Sequence, residues 1–223
     1  MAPRRITKIE QQKNNPARRN IYLEEEFALG VSDETLLQAG LRVGDLVTDA
    51  LFQQLKLEEE YQEAKNAALK FLSYRPRTER EIRNKLRETE HADNIIDKVV
   101  DGLKQSRLID DRSFARMYIR DTRADRPVGP VLLRQKMLLL GLSREIVEEA
   151  LGEVLHDVSQ EDDAGAAAEK FILRAQKTGR AVDPDTLRSR LTGHLARRGF
   201  SWDVVNSVVS KALHGTDQSR ETP

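Results

Sequence analysis

Two distant stretches of this chain share one punctuation. Leu139-Leu140-Gly141-Leu142-Ser143 precedes Ile146-Val147, and Ala196-Arg197-Arg198-Gly199-Phe200-Ser201 precedes Val204-Val205 at identical spacing. The glycine stops one helix, the apolar residue after it packs back, and the serine starts the next. A unit ending in Ile95-Ile96 has the same three-helix order with a different loop. Ile95 and Ile146 lie 51 positions apart, and Ile146 and Val204 lie 58 apart. Such spacings, with uneven loops, do not suit a helical-hairpin array of about 34 residues per repeat. The chain is therefore predicted to be mainly α, with three tandem three-helix repeats in an elongated array.

The central repeat is the clearest. Phe114, Ala115, Tyr118 and Ile119 fall at helical spacing, as do Leu133, Met137 and Leu140, so each helix carries one apolar stripe. Asp110 or Asp111 can cap the first of these helices, and Pro127, Gly129 and Pro130 break the chain before the second. Ser143 caps a third, with Ile146/Val147 and Ala150/Leu151 inward. In the first repeat, Thr78 and Glu81 form a capping box ahead of Ile82 and Leu86. Asp93 is placed to cap the helix that carries Ile95/Ile96, Val99/Val100 and Leu103. The acidic stretch Gln160–Gly165 reads as a linker into the third repeat. That repeat carries Ala168, Phe171, Ile172 and Ala175, then Leu187, Leu191 and Leu195 after an Asp183-Pro184 helix start.

Ahead of the repeats, Arg5-Ile6-Thr7-Lys8-Ile9 alternates, and so does Asn20-Ile21-Tyr22-Leu23, which continues into Phe27, Leu29 and Val31. This reads as a β-hairpin joined through the polar Gln11–Arg19 stretch. Ser32 then caps a short helix ended by Gly40, Gly44 marks a turn, and Thr48 or Asp49 opens a long helix ending near Tyr74. The expected organisation is a hairpin-and-helix leader over 1–62, repeats over 63–109, 110–159 and 160–214, and a disordered polar tail over 215–223.

Composition removes several function classes. No cysteine is present, which excludes disulfides, thiolate metal sites and cysteine nucleophiles, and the four histidines show no ligand spacing. No apolar run approaches the roughly 20 residues of a membrane span, and the N-terminus has no signal-peptide core, so the expectation is a soluble intracellular protein. Walker-type, His-Glu-x-x-His and G-x-S-x-G motifs are missing, so neither an enzyme nor a cofactor is expected. Asp110-Asp111 reads as a helix cap, Glu24–Glu26 and Glu58–Glu60 as solvated runs, and Trp202 as packing.

Arginine remains. Net charge is zero, but charge comes in blocks: 104–136 is basic, 144–169 acidic and 170–200 basic again. With screening over about 8–10 Å, a partner senses the local block. Arg75, Arg77, Arg80, Arg83 and Lys85 gather around one helix start. Arg116, Arg120 and Arg123 form an i, i+4, i+7 ridge, flanked by Arg126 and Arg134. Arg188, Arg190, Arg197 and Arg198 repeat the theme. Arginine suits carboxylate and phosphate forks, so an anionic partner is one reading and pairing with neighbouring acids such as Glu79 and Asp121 is the other.

Phe71-Leu72-Ser73-Tyr74-Arg75-Pro76-Arg77-Thr78-Glu79-Arg80-Glu81-Ile82-Arg83-Asn84-Lys85-Leu86 resembles the first-repeat signature of the RecX regulatory proteins. Leu108-Ile109-Asp110-Asp111, with Phe114-Ala115, Tyr118-Ile119-Arg120 and Gly129-Pro130, resembles their second-repeat signature, completed by Leu140-Gly141-Leu142. The Ile6–Ile9 strand and the Gly40 and Gly44 turns are similar to the family's leader, and the third repeat is a looser match. The resemblance implies a non-enzymatic cytoplasmic bacterial protein. It would lie as a monomer in the groove of the RecA–DNA filament, restraining ATPase, strand exchange and coprotease activity. Partners would be the RecA recombinase and single-stranded DNA ahead of double-stranded DNA, with no membrane. The twelve basic residues expected to face that partner are Arg75, Arg77, Arg80, Arg83, Lys85, Arg116, Arg120, Arg123, Arg126, Arg134, Arg197 and Arg198. The rival reading is a helix-turn-helix transcription regulator. That would place base-reading side chains on one recognition helix, whereas here the arginines are spread over three units.

Overall fold

The computed structural model describes residues 3–177 and 183–218, with side chains described to 213. Four strands and ten helices are present among the described residues. The chain divides into two compact units at Ile109/Asp110.

The first unit opens with strands β1 (Arg4–Gln12), β2 (Asn15–Leu23) and β3 (Glu26–Ser32). Helix α1 (Asp33–Ala39) and the short β4 (Leu46–Val47) follow, and the antiparallel sheet runs in the order β3-β2-β1-β4. Ile6 faces Leu23, and Ile21 faces Leu29. Ile6, Ile21, Leu23, Val31 and Val47 are buried together against Leu36, Leu51 and Phe52. The expected hairpin is present as β1–β2, and β3 and β4 extend it into a four-stranded sheet. The stretch Gln11–Arg19, expected as a joining loop, lies largely within the paired strand arms, which turn at Lys13-Asn14. The second strand does not continue into Phe27. Glu24 and Glu25 both have positive φ (51° and 73°) and reverse the chain. That is the backbone of a primed two-residue hairpin turn, whose hand matches strand twist. Glu-Glu lacks the Asn-Gly signature of such a turn, so the break is hidden in the sequence. Phe27 is 61% exposed and meets the Tyr22 ring edge-on.

Helix α2 (Asp49–Leu72) starts at a Thr48 cap and packs against α1, β3 and both later helices of the unit. Its Glu59 was expected in a solvated run and is buried. The carboxylate accepts from the Ser32 amide at 2.8 Å and the Thr35 hydroxyl at 3.1 Å, and Arg18 lies 2.9 Å away. A buried carboxylate is retained only where such partners replace water. Helices α3 (Glu79–Glu88) and α4 (Asp93–Gln105) complete the first repeat. Its core joins Ala64 and Ala68 of α2 to Ile82, Leu86, Ile96 and Val100. Asp93 is not the cap expected of it: Ala92 holds that position, while Asp93 sits in the first turn with its carboxylate on Arg87 at 3.1 Å.

The second unit holds α5 (Asp111–Asp125), α6 (Pro130–Leu139) and α7 (Arg144–Leu155), then α8 (Gln160–Lys177), α9 (Pro184–Arg197) and α10 (Trp202–Gln218). The stretch Gln160–Gly165 is the first turn and a half of α8 and not a linker. Ser159 accepts from the Asp162 amide at 3.1 Å, and Glu161, Asp162 and Asp163 sit where carboxylates favour the helix dipole. Helix α10 takes in 215–218, the start of the expected tail, and 219–223 lie outside the described residues. Trp202, expected to pack, is 63% exposed at the first turn of α10, and Phe200 is buried in its stead.

The repeat is visible in the cores. Ala64/Ala68, Ala115/Ile119 and Ala164/Ala168 bury i, i+4 pairs on the opening helices, while Ile82, Leu133 and Leu191 are fully buried on the middle ones. The punctuation recurs three times. Gly141 donates to the Leu138 carbonyl and Leu142 to that of Met137; Gly199 donates to Ala196 and Phe200 to Leu195. In the first repeat Glu90 donates to Arg87 and His91 to Leu86 in the same pattern, with Glu90 at φ 61°. The first loop therefore has the same geometry as the others, with glutamate where they have glycine. Replacing Glu90 with Gly is expected to stabilise the first unit by about 1 kcal/mol through relief of left-handed strain. An unchanged denaturation midpoint would refute this.

Candidate partner-binding surface

The twelve basic residues sit in different electrostatic circumstances. In the first repeat, Thr78 caps α3 and Glu81 returns to the Thr78 amide, closing the expected capping box. That places Glu81 between two arginines, with Arg75 at 2.6 Å and Arg77 at 3.3 Å. Arg77 also lies 3.9 Å over the Phe71 ring. Burial pushes the Glu81 carboxyl up, but Arg75, the Thr78 amide and Arg77 outweigh it and hold the group below the usual carboxylate range. Arg83 joins Glu79 at 2.7 Å and Asp97 at 2.6 Å, and Lys85 reaches Glu88 at 3.4 Å. Arg80 is exposed and forms no ion pair among the described residues.

In the second repeat Arg134 grips Glu148 with both arms, at 2.5 and 2.8 Å. This contact repeats an earlier one. Arg83–Asp97 and Arg134–Glu148 both span 14 positions, and the two pairs are offset by the 51-residue period. In each, a middle helix is tied to the third helix of its repeat. The third repeat has Thr192 and Asn206 at the positions offset by 58, and so lacks the clamp.

The α5 ridge is divided. Asp110 caps the helix by accepting from the Arg112 and Ser113 amides, and its carboxyl is held low by the Ser113 hydroxyl first, then by those amides. Arg112 pairs with Glu149, and Arg116 with Glu153 at 3.3 Å. Arg123 reaches Asp163 of α8 at 2.6 Å. Arg120, between them on the ridge, is exposed and makes no ion pair among the described residues. The basic and acidic blocks therefore neutralise each other in part across helices. Surface pairs of this kind each contribute about 0–1 kcal/mol, so they orient side chains more than they stabilise the unit.

The junction of the second and third repeats is set by backbone. The amides of Gly129 and Val131, at the start of α6, donate to the carbonyls of Arg198 and Gly199, after α9, at 2.9 and 3.1 Å. Orphan donors of one helix start thus meet orphan acceptors of another helix end. A Cβ on Gly129 would stand 2.1 Å from the Gly199 carbonyl oxygen, and one on Gly199 would stand 2.2 Å from the Leu132 nitrogen. Arg198 reinforces the contact: Nη1 donates to the Pro127 carbonyl at 2.7 Å and Nε to His194 Nε2 at 3.1 Å. Arg197 is exposed, and the only acid near Arg126 is its neighbour Asp125 at 3.8 Å, among the described residues. Sequence reasoning missed Arg174 and His194. The only signal was the i, i+3 spacing of Phe171 and Arg174, because His194 meets Phe171 through the fold, with ring centroids 4.7 Å apart.

Among the described residues, no helix is long and apolar enough to cross a membrane, and no three acidic or histidine side chains cluster to hold a metal. Small three-helix units in tandem behind an antiparallel sheet define a helical-repeat protein. Family models match along the chain: the regulatory protein RecX N-terminal domain over 4–48, and the first, second and third RecX three-helix domains over 64–103, 110–151 and 161–209. Regulatory protein RecX of Bacillus licheniformis is 30% identical over 216 residues, covering 97% of this chain and 80% of that protein. That of Clostridioides difficile is 30% identical over 209 residues, covering 94% and 96%. A crystal structure of regulatory protein RecX matches with a TM-score of 0.72 at 27% identity, over 92% of this chain and 98% of its own. A RecX structure from Lactobacillus salivarius matches at 0.60 and 25% identity, over 69% and 97%. The chain belongs to the RecX family of regulatory proteins.

Proposed function

We propose that this protein binds the RecA–DNA filament and restrains its ATPase, strand-exchange and coprotease activities, acting as a monomer in the bacterial cytoplasm. The observation that carries the reading is the distribution of uncompensated charge. Each repeat exposes at least one arginine without an ion pair among the described residues: Arg80, Arg120 and Arg197. Tandem units that each add a weak contact suit a polymeric partner with a repeating anionic surface, since linked sites raise affinity without any one being strong. The paired arginines serve a second purpose, because a guanidinium already held by a carboxylate is oriented before it meets a phosphate or acidic side chain.

The test is DNA-dependent ATP hydrolysis by RecA with this protein added. Hydrolysis should fall with protein concentration. An unchanged rate under conditions where the protein co-sediments with the filament would sink the reading. Replacing Arg80, Arg120 and Arg197 together with Ala should raise the concentration for half-inhibition about tenfold, corresponding to about 1.4 kcal/mol over three exposed contacts. Helicity should stay constant in that variant.

A further inference from the structure

The three arginines around Arg198 are the part of the basic surface with least internal compensation. Arg198 is fixed from two sides, by the Pro127 carbonyl and by His194 Nε2. Arg126 is the residue before Pro127, Arg197 adjoins Arg198 on α9, and Arg174 lies one turn beyond Phe171, whose ring packs on His194. The backbone bonds from Gly129 and Val131 to the Arg198 and Gly199 carbonyls bring the loop that carries Arg126 to the end of α9, so arginines from the α5 end, α8 and the α9 end share this junction. The one carboxylate near any of them is Asp125, at 3.8 Å from Arg126 and itself well exposed, among the described residues. The neighbourhood also bears on the proton affinity of two of its members. Burial, then Arg126 and Arg174, lower the pKa of Arg198; burial, then Arg198, Arg197 and Arg174, lower that of His194. Like charges that act on one another are unfavourable, and an anion placed among them relieves that repulsion.

We propose that Arg126, Arg174, Arg197 and Arg198 form an oxyanion site for a phosphate group at the junction of the second and third repeats. The inference rests on the reading of the arginines as anion-facing and assigns one class of ligand to one place. Arginine forks match phosphate oxygens, and Arg198 is already oriented by bonds that leave part of its fork for a ligand. The same chemistry is presented by a nucleic-acid backbone and by free phosphate, and a strand that also meets Arg120 gains a second contact. The backbone phosphodiester is therefore the expected occupant.

His194 reports on the site. It accepts from Arg198 at Nε2 and so is neutral, and the charged groups that bear on it are Arg174 from α8, Arg197 from its own helix and Arg198 at that helix's C-cap. A bound phosphate offsets those charges and must raise the histidine pKa. The experiment follows the His194 ring C–H resonances of the full chain through pH titrations, alone, with inorganic phosphate and with a short oligodeoxythymidylate. Both ligands should raise the pKa saturably, the oligonucleotide at a concentration at least tenfold lower. The Arg126→Gln/Arg174→Gln double variant should lose the response. It should also melt no lower than the parent, because removing like charges beside Arg198 relieves repulsion. An unmoved His194 with both ligands, or an undiminished response in the double variant, overturns the proposal; equal affinity for both ligands overturns the assignment to the backbone. RecA ATPase inhibition by the parent is measured alongside. A site that fails while inhibition persists refutes only this inference, and absent inhibition with a responsive His194 refutes only the wider reading.

Discussion

Leu133→Asp should abolish cooperative folding of the second repeat. Leu133 is fully buried on α6 among Phe114, Ile119, Met137 and Val147. Removing the leucine forfeits about 2–3 kcal/mol of apolar burial. The carboxylate must then either stay charged without a partner or take up a proton at a further cost of a few kcal/mol. The nearest arginine in sequence, Arg134, is already engaged by Glu148. A total of about 5 kcal/mol is comparable to the whole stability of a small domain. Thermal melting followed by circular dichroism should lose the amplitude of the second unit while the first, with its own cores, still melts. Leu133→Met, which nearly preserves volume, should cost under about 1.5 kcal/mol. A normal melt for the aspartate variant would mean that α6 does not bury this face.

Gly199→Ala should undo the docking of the third repeat on the second. Two costs act at this residue. Its φ of 79° is one that a side chain rarely adopts, and the added carbon would stand 2.2 Å from the Leu132 nitrogen and 2.4 Å from Leu132 Cβ. The left-handed strain alone costs about 1–2 kcal/mol. The collision is with backbone and cannot be relieved by a side-chain rotation, so the loops must separate and break the bonds from Gly129 and Val131. The combined loss is expected at about 3 kcal/mol or more. Gly40→Ala isolates the first cost, because Gly40 has φ 63° with nothing within 4 Å of the added carbon. Hydrogen exchange at the Gly129 and Val131 amides reads the docking directly. Those amides should lose protection in Gly199→Ala and keep it in Gly40→Ala. Equal behaviour of the two variants would show that the close approach carries no energy.

These two residues also mark where sequence reading succeeds and where it stops. Leu133 was legible because helical burial is periodic: stripes such as Leu133/Met137 and Phe114/Ile119 report a local geometry that every helix shares. The caps at Ser32, Thr78, Ser143 and Asp183 were legible for the same reason, and those at Thr48 and Asp110 to within one residue, since each serves amides two or three residues away. The glycine at 199 was legible as a helix stop, yet its close approach to Leu132 was not, because that partner is 67 positions away. Around Glu90 the sequence reads as a different loop, because glutamate carries no sign of the left-handed backbone it adopts. Nor could sequence reveal that Glu59 is buried by Ser32, Thr35 and Arg18 when its neighbours Glu58 and Glu60 suggest a solvated run.

For the candidate surface the division is sharper. That arginine recurs in every repeat, carried by tandem helical units, is legible along the chain, because composition and period are properties of the chain. Which arginines are already engaged depends on the folded molecule. Arg83 and Arg134 are clamps within their repeats, and Arg116 and Arg123 meet acids 37 and 40 positions away. Arg126, Arg174, Arg197 and Arg198 gather where two loops touch through glycines. Electrostatic energy depends on distance in space and is screened beyond about 8–10 Å, and spacing along the chain constrains that distance only within one helix.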